Sequence, residues 1–260
     1  MTMNKKIASF GDSFIFGWEI PNNLSGDKNW PQFAADRIGV DHVCCSSPGV
    51  GNDIIATQVY NYYSNTKNHS DLAVINWTWT LRWDYYIYFK DWLTWTTFGP
   101  NKHSNPFRDG LSLNSKIINE RDKEGRWIPS ALKKLDPAIV TNSKKMYDDL
   151  IVDNQEYNKF RALQTISSCN NFMNRYNIKS VQTYKDHEIF EKEWHCPEYI
   201  KSLQSLMVDD MRLFDGMNFL EWSRHNNFKI TEPDWHPLED AHRAAAEFWL
   251  PTYKELLRDD

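Results

Sequence analysis

Lys6-Ile7-Ala8-Ser9-Phe10-Gly11-Asp12-Ser13-Phe14 is the stretch that decides the fold. A short apolar run stops at Gly-Asp-Ser. A buried parallel strand reads this way when it carries a hydroxyl to the carboxyl edge of a sheet, where open α/β sheets bind their ligands. Gly11 permits a tight turn that a Cβ would obstruct. Alone, the tripeptide reads more readily as the turn and cap of an ordinary helix. Its weight comes from residues near the other end of the chain.

Working outward, Gly17 to Lys28 is rich in Asn, Gly and Pro and reads as a loop. A helix follows, with Asn29 as its cap, Pro31 in its first turn and Gly39 at its end. Asp41 to Ser46 is a second strand. Ser47-Pro48-Gly49-Val50-Gly51-Asn52-Asp53 is a second turn, whose glycines bring backbone N–H groups close to anything bound there. Asn52 or Asp53 caps a helix running to about Tyr63.

Leu72 to Thr78 is a third strand, apolar enough for burial on both faces. Strand, turn, helix, repeated in this way, is the grammar of a parallel sheet. The pattern lapses from about Trp83 to Asn154, which reads as an insertion with some helix covering one end of the sheet. It resumes with a long helix from Asn154, a fourth strand at Ile178 to Tyr184, and shorter elements near Tyr199 and Phe219. The final helix starts near Leu238, and Pro251 is expected to kink or end it. Without repeats or a clean linker, residues 1–260 are read as one domain.

Composition narrows the function. The chain has 260 residues and a net charge of −5. No basic stripe suggests nucleic acid. Cys44, Cys45, Cys169 and Cys196 are too scattered for a disulfide framework and read as reduced and structural. No apolar stretch has the length of a membrane helix or a signal-peptide core, so a soluble, cytoplasmic protein made without a removable signal is expected. Aromatic residues are abundant (12 Trp, 12 Tyr, 14 Phe) and crowd into Trp77 to Phe98. They read as core and lid packing, as a stacking wall for sugar rings, or as a partner-binding patch.

Pairing the two ends supplies chemistry. Ser13 follows strand one, while Asp234 and His236 precede the last helix. In a doubly wound sheet both turns open on the same edge. A serine hydroxyl needs a base to take its proton, and a histidine held by a carboxylate does this near neutral pH. The oxyanion needs aligned donors. The candidates are the N–H groups of Ser13 and Gly49, with a side chain at the end of strand three. Asp12, Asn52, Trp77 and Arg82 are expected at the same edge and are candidate substrate contacts. Arg82 either pairs with Asp84 or holds a substrate anion. Asp240-Ala241-His242 repeats the acid-x-histidine spacing and is the rival pair. Asp186-His187 and His195-Cys196 are isolated pairs, so no metal or other cofactor is expected.

At these residues the chain resembles the SGNH (GDSL) hydrolase family. The matching blocks are Gly11-Asp12-Ser13, Pro48 to Asp53, and Asp234-Trp235-His236-Pro237 followed by His242. The resemblance implies a three-layer α/β/α sandwich of flavodoxin-like form and a metal-free serine esterase. It makes Ser13 the nucleophile, His236 the base, Asp234 its orienting acid and Gly49 the second oxyanion donor. The family's third block, Gly-x-Asn-Asp, is missing. Strand three ends Asn76-Trp77-Thr78-Trp79-Thr80-Leu81-Arg82 instead, an ending that resembles phage-encoded members. Thr78 or Asn76 would then supply the third donor. The acid and base lie two residues apart rather than the family's usual three. The expected activity is ester cleavage, with an O-acetyl group on a glycan as the preferred substrate. The alternative is a weakly active or inactive glycan- or protein-binding component of a viral assembly, and oligomer formation is left open.

Overall fold

The computed structural model describes residues 5–23, 26–65, 70–89, 92–98, 142, 145–146, 149, 154–193, 195–232 and 235–258. Four strands form one parallel sheet: β1 (Lys6–Gly11), β2 (Asp41–Cys44), β3 (Leu72–Trp77) and β6 (Ser180–Tyr184). Their order is β2-β1-β3-β6. Registers run Ile7 to His42 on one side of β1, Phe10 to Ile75 on the other, and Asn76 to Thr183 beyond. The order reverses direction at β1, so the crevice between the carboxyl ends of β1 and β3 is a topological switch point.

Side chains alternate across the sheet as strand geometry requires. Ile7, Leu72 and Val74 enter one apolar cluster with Trp30, Ala245 and Trp249. Ala8, Phe10, Ala73 and Ile75 enter the opposite cluster with Ile54, Leu163 and Ile166. The first cluster is covered by α2 (Trp30–Ile38) and the terminal helix α7 (Glu239–Leu256), with α6 (Phe219–His225) beside them. The second is covered by α3 (Asn52–Ser64) and α4 (Gln155–Arg175), with α5 (Glu198–Ser205). The protein is therefore an α/β fold with a parallel sheet between helices. β1 and β3 carry unbroken apolar runs because both of their faces are buried.

Caps fall where the residue types put them. Asn29 accepts from Gln32 N–H at the start of α2, and Gly39 ends that helix at φ 81. In α6, Asn218 and Glu221 form a reciprocal capping box. Three expectations are corrected. The segment beginning at Trp83 opens as an antiparallel hairpin, β4 (Trp83–Phe89) and β5 (Trp92–Phe98), not as helix. Its aromatic and Thr residues are of the types enriched in strands. Side chains 85–98 and most of 99–153 lie outside the described residues, as do the stacking and partner readings of the aromatic segment. α3 begins without a cap from its own turn, since the carboxylate of Asp84 accepts from the N–H groups of Gly51 (2.8 Å) and Ile54 (3.0 Å). Finally, α7 continues through Pro251 to Leu256 instead of ending there.

His242, half of the rival pair, is buried in the first cluster. Its ring stacks on Trp30 (5.6 Å between centroids) and meets Phe219 edge-on (4.9 Å). Burial, and secondarily the neighbouring His236, lower its pKa to about 3. An unfolded histidine takes its proton near pH 6.5, so the unfolded state binds more protons below that pH and stability falls with pH. Between pH 7 and 4.5 this one group is expected to remove about 3 kcal/mol of unfolding free energy. Urea titrations of the wild type and His242→Phe test this. The variant should lose less over that interval by about this amount, and parallel losses would refute the assignment.

Candidate active site

The turn that carries Ser13 is built by its own sequence. Asp12 is the N-cap of α1 (Ser13–Phe16), where its Oδ1 accepts from Phe14 N–H at 3.0 Å. Gly17 closes the turn at φ 70. A Cβ on Gly11 would come within 2.8 Å of the Ile15 side chain. Glycine at this point therefore lets α1 fold tightly back over the end of β1. Ser13 is left nearly buried, 4 % exposed, at the switch-point crevice.

Ser13 Oγ and His236 Nε2 lie 2.8 Å apart, across 223 residues of chain. His236 N–H donates to Thr231 Oγ1 at 3.0 Å, and its ring packs on Phe14 with centroids 5.2 Å apart. Glu19 brings Oε2 to 3.9 Å from His236 Nδ1. Its backbone sits in the left-handed region at φ 71. Asp234 lies outside the described residues.

Beneath Ser13 the carboxylate of Asp12 is fully buried. Its Oδ2 accepts from Thr78 Oγ1 (2.8 Å), Arg82 Nη1 (2.8 Å) and Lys185 Nζ (3.3 Å). Burial alone would raise its pKa. Lys185, Arg82 and the two hydrogen bonds outweigh that and bring it to about 2. Arg82 Nη1 also donates to Val50 O (3.0 Å) and Thr78 Oγ1 (3.0 Å), tying the glycine turn to the end of β3.

Several candidate residues have other duties. The Thr78 hydroxyl points its hydrogen at Asp12, so it is no oxyanion donor. Asn52 clips the Thr78 backbone, accepting from its N–H (2.8 Å) and donating to its carbonyl (3.2 Å). Trp77 is wholly buried and its Nε1 donates to Gln182 Oε1 at 2.9 Å. Arg82 holds neither Asp84 nor a surface anion but Asp12, which is itself inaccessible. These four positions, Asp12, Asn52, Trp77 and Arg82, are corrected from substrate contacts to a scaffold. Asn76 lies on β3, where its Oδ1 accepts from Thr183 Oγ1 at 2.7 Å, and its buried Nδ2 has no hydrogen-bond partner among the described residues. Gly51 N–H is committed to Asp84, and a Cβ there would meet that carboxylate at 2.7 Å. Gly49 is half-buried at φ 81 with open space where a Cβ would be.

Three residues of the site carried no motif. Lys185 directly follows β6, and the carboxyl end of a parallel strand is the signal that could have marked it. Glu19 is hidden in an Asn/Gly-rich loop. Asp84 is legible only once β4 is known. Among the described residues no group of three or more His, Cys, Asp or Glu could hold a metal ion, and no helix is long and apolar enough to cross a membrane.

No family model matches the chain, and no curated protein matches it. Solved structures do. The psychrotrophic esterase EstA from Pseudoalteromonas sp. aligns at 10 % identity over 98 % of this chain and 100 % of its own, with a TM-score of 0.47. A member of the lipolytic protein G-D-S-L family from Veillonella parvula DSM 2008 aligns at 12 % identity, covering 96 % and 98 %, with a TM-score of 0.41. AlinE4, an SGNH-hydrolase family esterase, aligns at 13 % identity over the whole of both chains, with a TM-score of 0.42.

Removing Arg82 leaves Asp12 to Lys185 alone and takes the donor from the Val50 carbonyl, a loss set by broken charge-assisted hydrogen bonds. Arg82→Met is accordingly expected to lower unfolding free energy in urea by about 2 kcal/mol. A variant of native stability that binds anionic compounds less tightly would instead make Arg82 a ligand contact.

Proposed function

We propose that the protein is a serine hydrolase of carboxylic esters, acting through Ser13 and His236. The observation that carries this reading is the 2.8 Å contact between Ser13 Oγ and His236 Nε2. Nε2 can accept the hydroxyl proton when Nδ1 holds the ring's own proton. The Ser13 oxygen then attacks the ester carbonyl carbon while its proton passes to Nε2. The carbonyl π pair becomes the oxyanion, held by the N–H groups of Ser13 and Gly49. Collapse breaks the bond to the alcohol, which leaves with the proton from the imidazolium. Water, deprotonated by His236, releases the acid and restores the serine.

Asp234 is assigned as the acid that orients His236, on the acid-x-histidine spacing and the SGNH resemblance. The chain is taken as one catalytic unit, with its insertion between about residues 83 and 154, and as a phage-type variant in its third block. The preferred substrate is a short acyl ester on a glycan. Trp235, next to the base, is 52 % exposed, and Trp79, just past β3, is 36 % exposed. Exposed indole faces beside an ester site suit the apolar face of a sugar ring.

The commitment of the Thr78 hydroxyl to Asp12 favours a second reading, a glycan-binding protein with little turnover. A fluorophosphonate probe separates the two. It should label wild type at Ser13 and leave Ser13→Ala unlabelled. Turnover of 4-nitrophenyl acetate should fall about 10³-fold or more in Ser13→Ala and His236→Ala. Asp234→Asn should cost at least about 10²-fold. Absence of both labelling and turnover, with glycan binding unchanged by Ser13→Ala, would replace the hydrolase with the binding protein.

A further inference from the structure

One cation is enough to balance Asp12, and Arg82 supplies it at 2.8 Å. Lys185 is a second, with its side chain only 7 % exposed. Stripping water from an ammonium costs several kcal/mol. The structural service Lys185 gives elsewhere comes from its backbone, whose carbonyl accepts from Asn218 Nδ2 at 3.0 Å. Its Nζ lies 3.7 Å from the centroid of the Phe14 ring and 5.1 Å from that of Trp79. Aromatic faces favour the charged amine. Asp12, Arg82 and Lys185 together thus hold one net positive charge. Two of the contacts of Lys185, the Asp12 carboxylate and the Phe14 ring, belong to the residues on either side of Ser13.

We propose that Lys185 is a positioning residue for the ester hydrolysis proposed above, on which this inference rests: its ammonium sets a positive field at the Ser13 turn that stabilises the oxyanion, a duty the Thr78 hydroxyl, committed to Asp12, does not perform. The ester carbonyl is neutral in the ground state and negative in the tetrahedral state. A fixed positive charge in a dry site therefore acts on the transition state far more than on substrate binding.

The charged and titratable groups around Lys185 define when the field is present. Asp12 faces it from the nucleophile turn, Arg82 from the segment after β3, and Asp186 from its own segment. His236 lies beyond the shared Phe14 ring. Asp186 accepts from Thr80 N–H (2.8 Å) and Thr80 Oγ1 (2.9 Å), and burial raises its pKa. Burial lowers the Lys185 pKa to about 7, with Asp12 opposing and Arg82 reinforcing the shift. Loss of the proton removes one positive charge beside the Ser13 turn and leaves Arg82 against the carboxylates of Asp12 and Asp186, so the field weakens as pH rises through neutrality.

The test compares wild type, Lys185→Met and Lys185→Arg with 4-nitrophenyl acetate and the fluorophosphonate. Lys185→Met should lose about tenfold or more in kcat and in labelling rate, with KM within about threefold. Lys185→Arg should recover part of this. In wild type, kcat should decline above neutral pH, and in Lys185→Arg, whose charge persists, the decline should shift to higher pH or vanish. This pH comparison stands even where Lys185→Met fails to fold. If wild type labels at Ser13 but its kcat stays flat to pH 9.5, or Lys185→Met turns over like wild type, the field proposal falls and the hydrolase survives. If wild type neither labels nor turns over, both fall together.

Discussion

The buried carboxylate of Asp12 is the point on which the site depends. A fully desolvated anion is untenable without partners. Its partners come from every strand end that meets the crevice: Phe14 N–H from the turn after β1, Thr78 and Arg82 from the segment after β3, and Lys185 from the end of β6. Arg82 extends the set to the glycine turn after β2 through Val50 O. One side chain thus locks the carboxyl ends of the strands to a single geometry. Ser13 rides on the locked turn, and the precision of its contact with His236 derives from there.

Much of this was legible in the sequence. Both sides of the hydrogen-bonded contact, Ser13 and His236, follow from Gly-Asp-Ser after one strand and Asp-x-His before the last helix. Asn29, Pro31 and Gly39 bound α2 because their capping chemistry is local. What could not be read was set by long-range packing. Arg82 looks like a ligand contact until the buried anion beneath it is seen. Trp77 looks like a platform until its ring is found in the core, with its N–H on Gln182. His242 has the right spacing for a base, yet lies among Trp30 and Phe219, where a charge has no solvation. The hairpin has no alternating pattern to announce it, since aromatic residues stand side by side at Tyr85-Tyr86 and Tyr88-Phe89 and three apart at Trp92, Trp95 and Phe98.

Asp84 joins two parts of the chain that look independent in sequence. It opens β4, yet caps α3, and it occupies the space a side chain at Gly51 would need. The start of the segment after β3 is therefore continuous with the helix behind the glycine turn. Arg82, two residues earlier, ties the same segment to Asp12. The hairpin's root and the support of the Ser13 turn are one structure.

The separation of Ser13 from His236 has a consequence for synthesis. Chains emerge from the ribosome amino end first, and β1 with its turn is made long before the imidazole exists. His236 also directly precedes α7, whose apolar side packs with Trp30 of α2. A nascent or truncated chain that stops short of these residues carries the hydroxyl with no base beside it. The contact between Ser13 and His236 thereby forms only after the chain through His236 has been translated and folded back on β1.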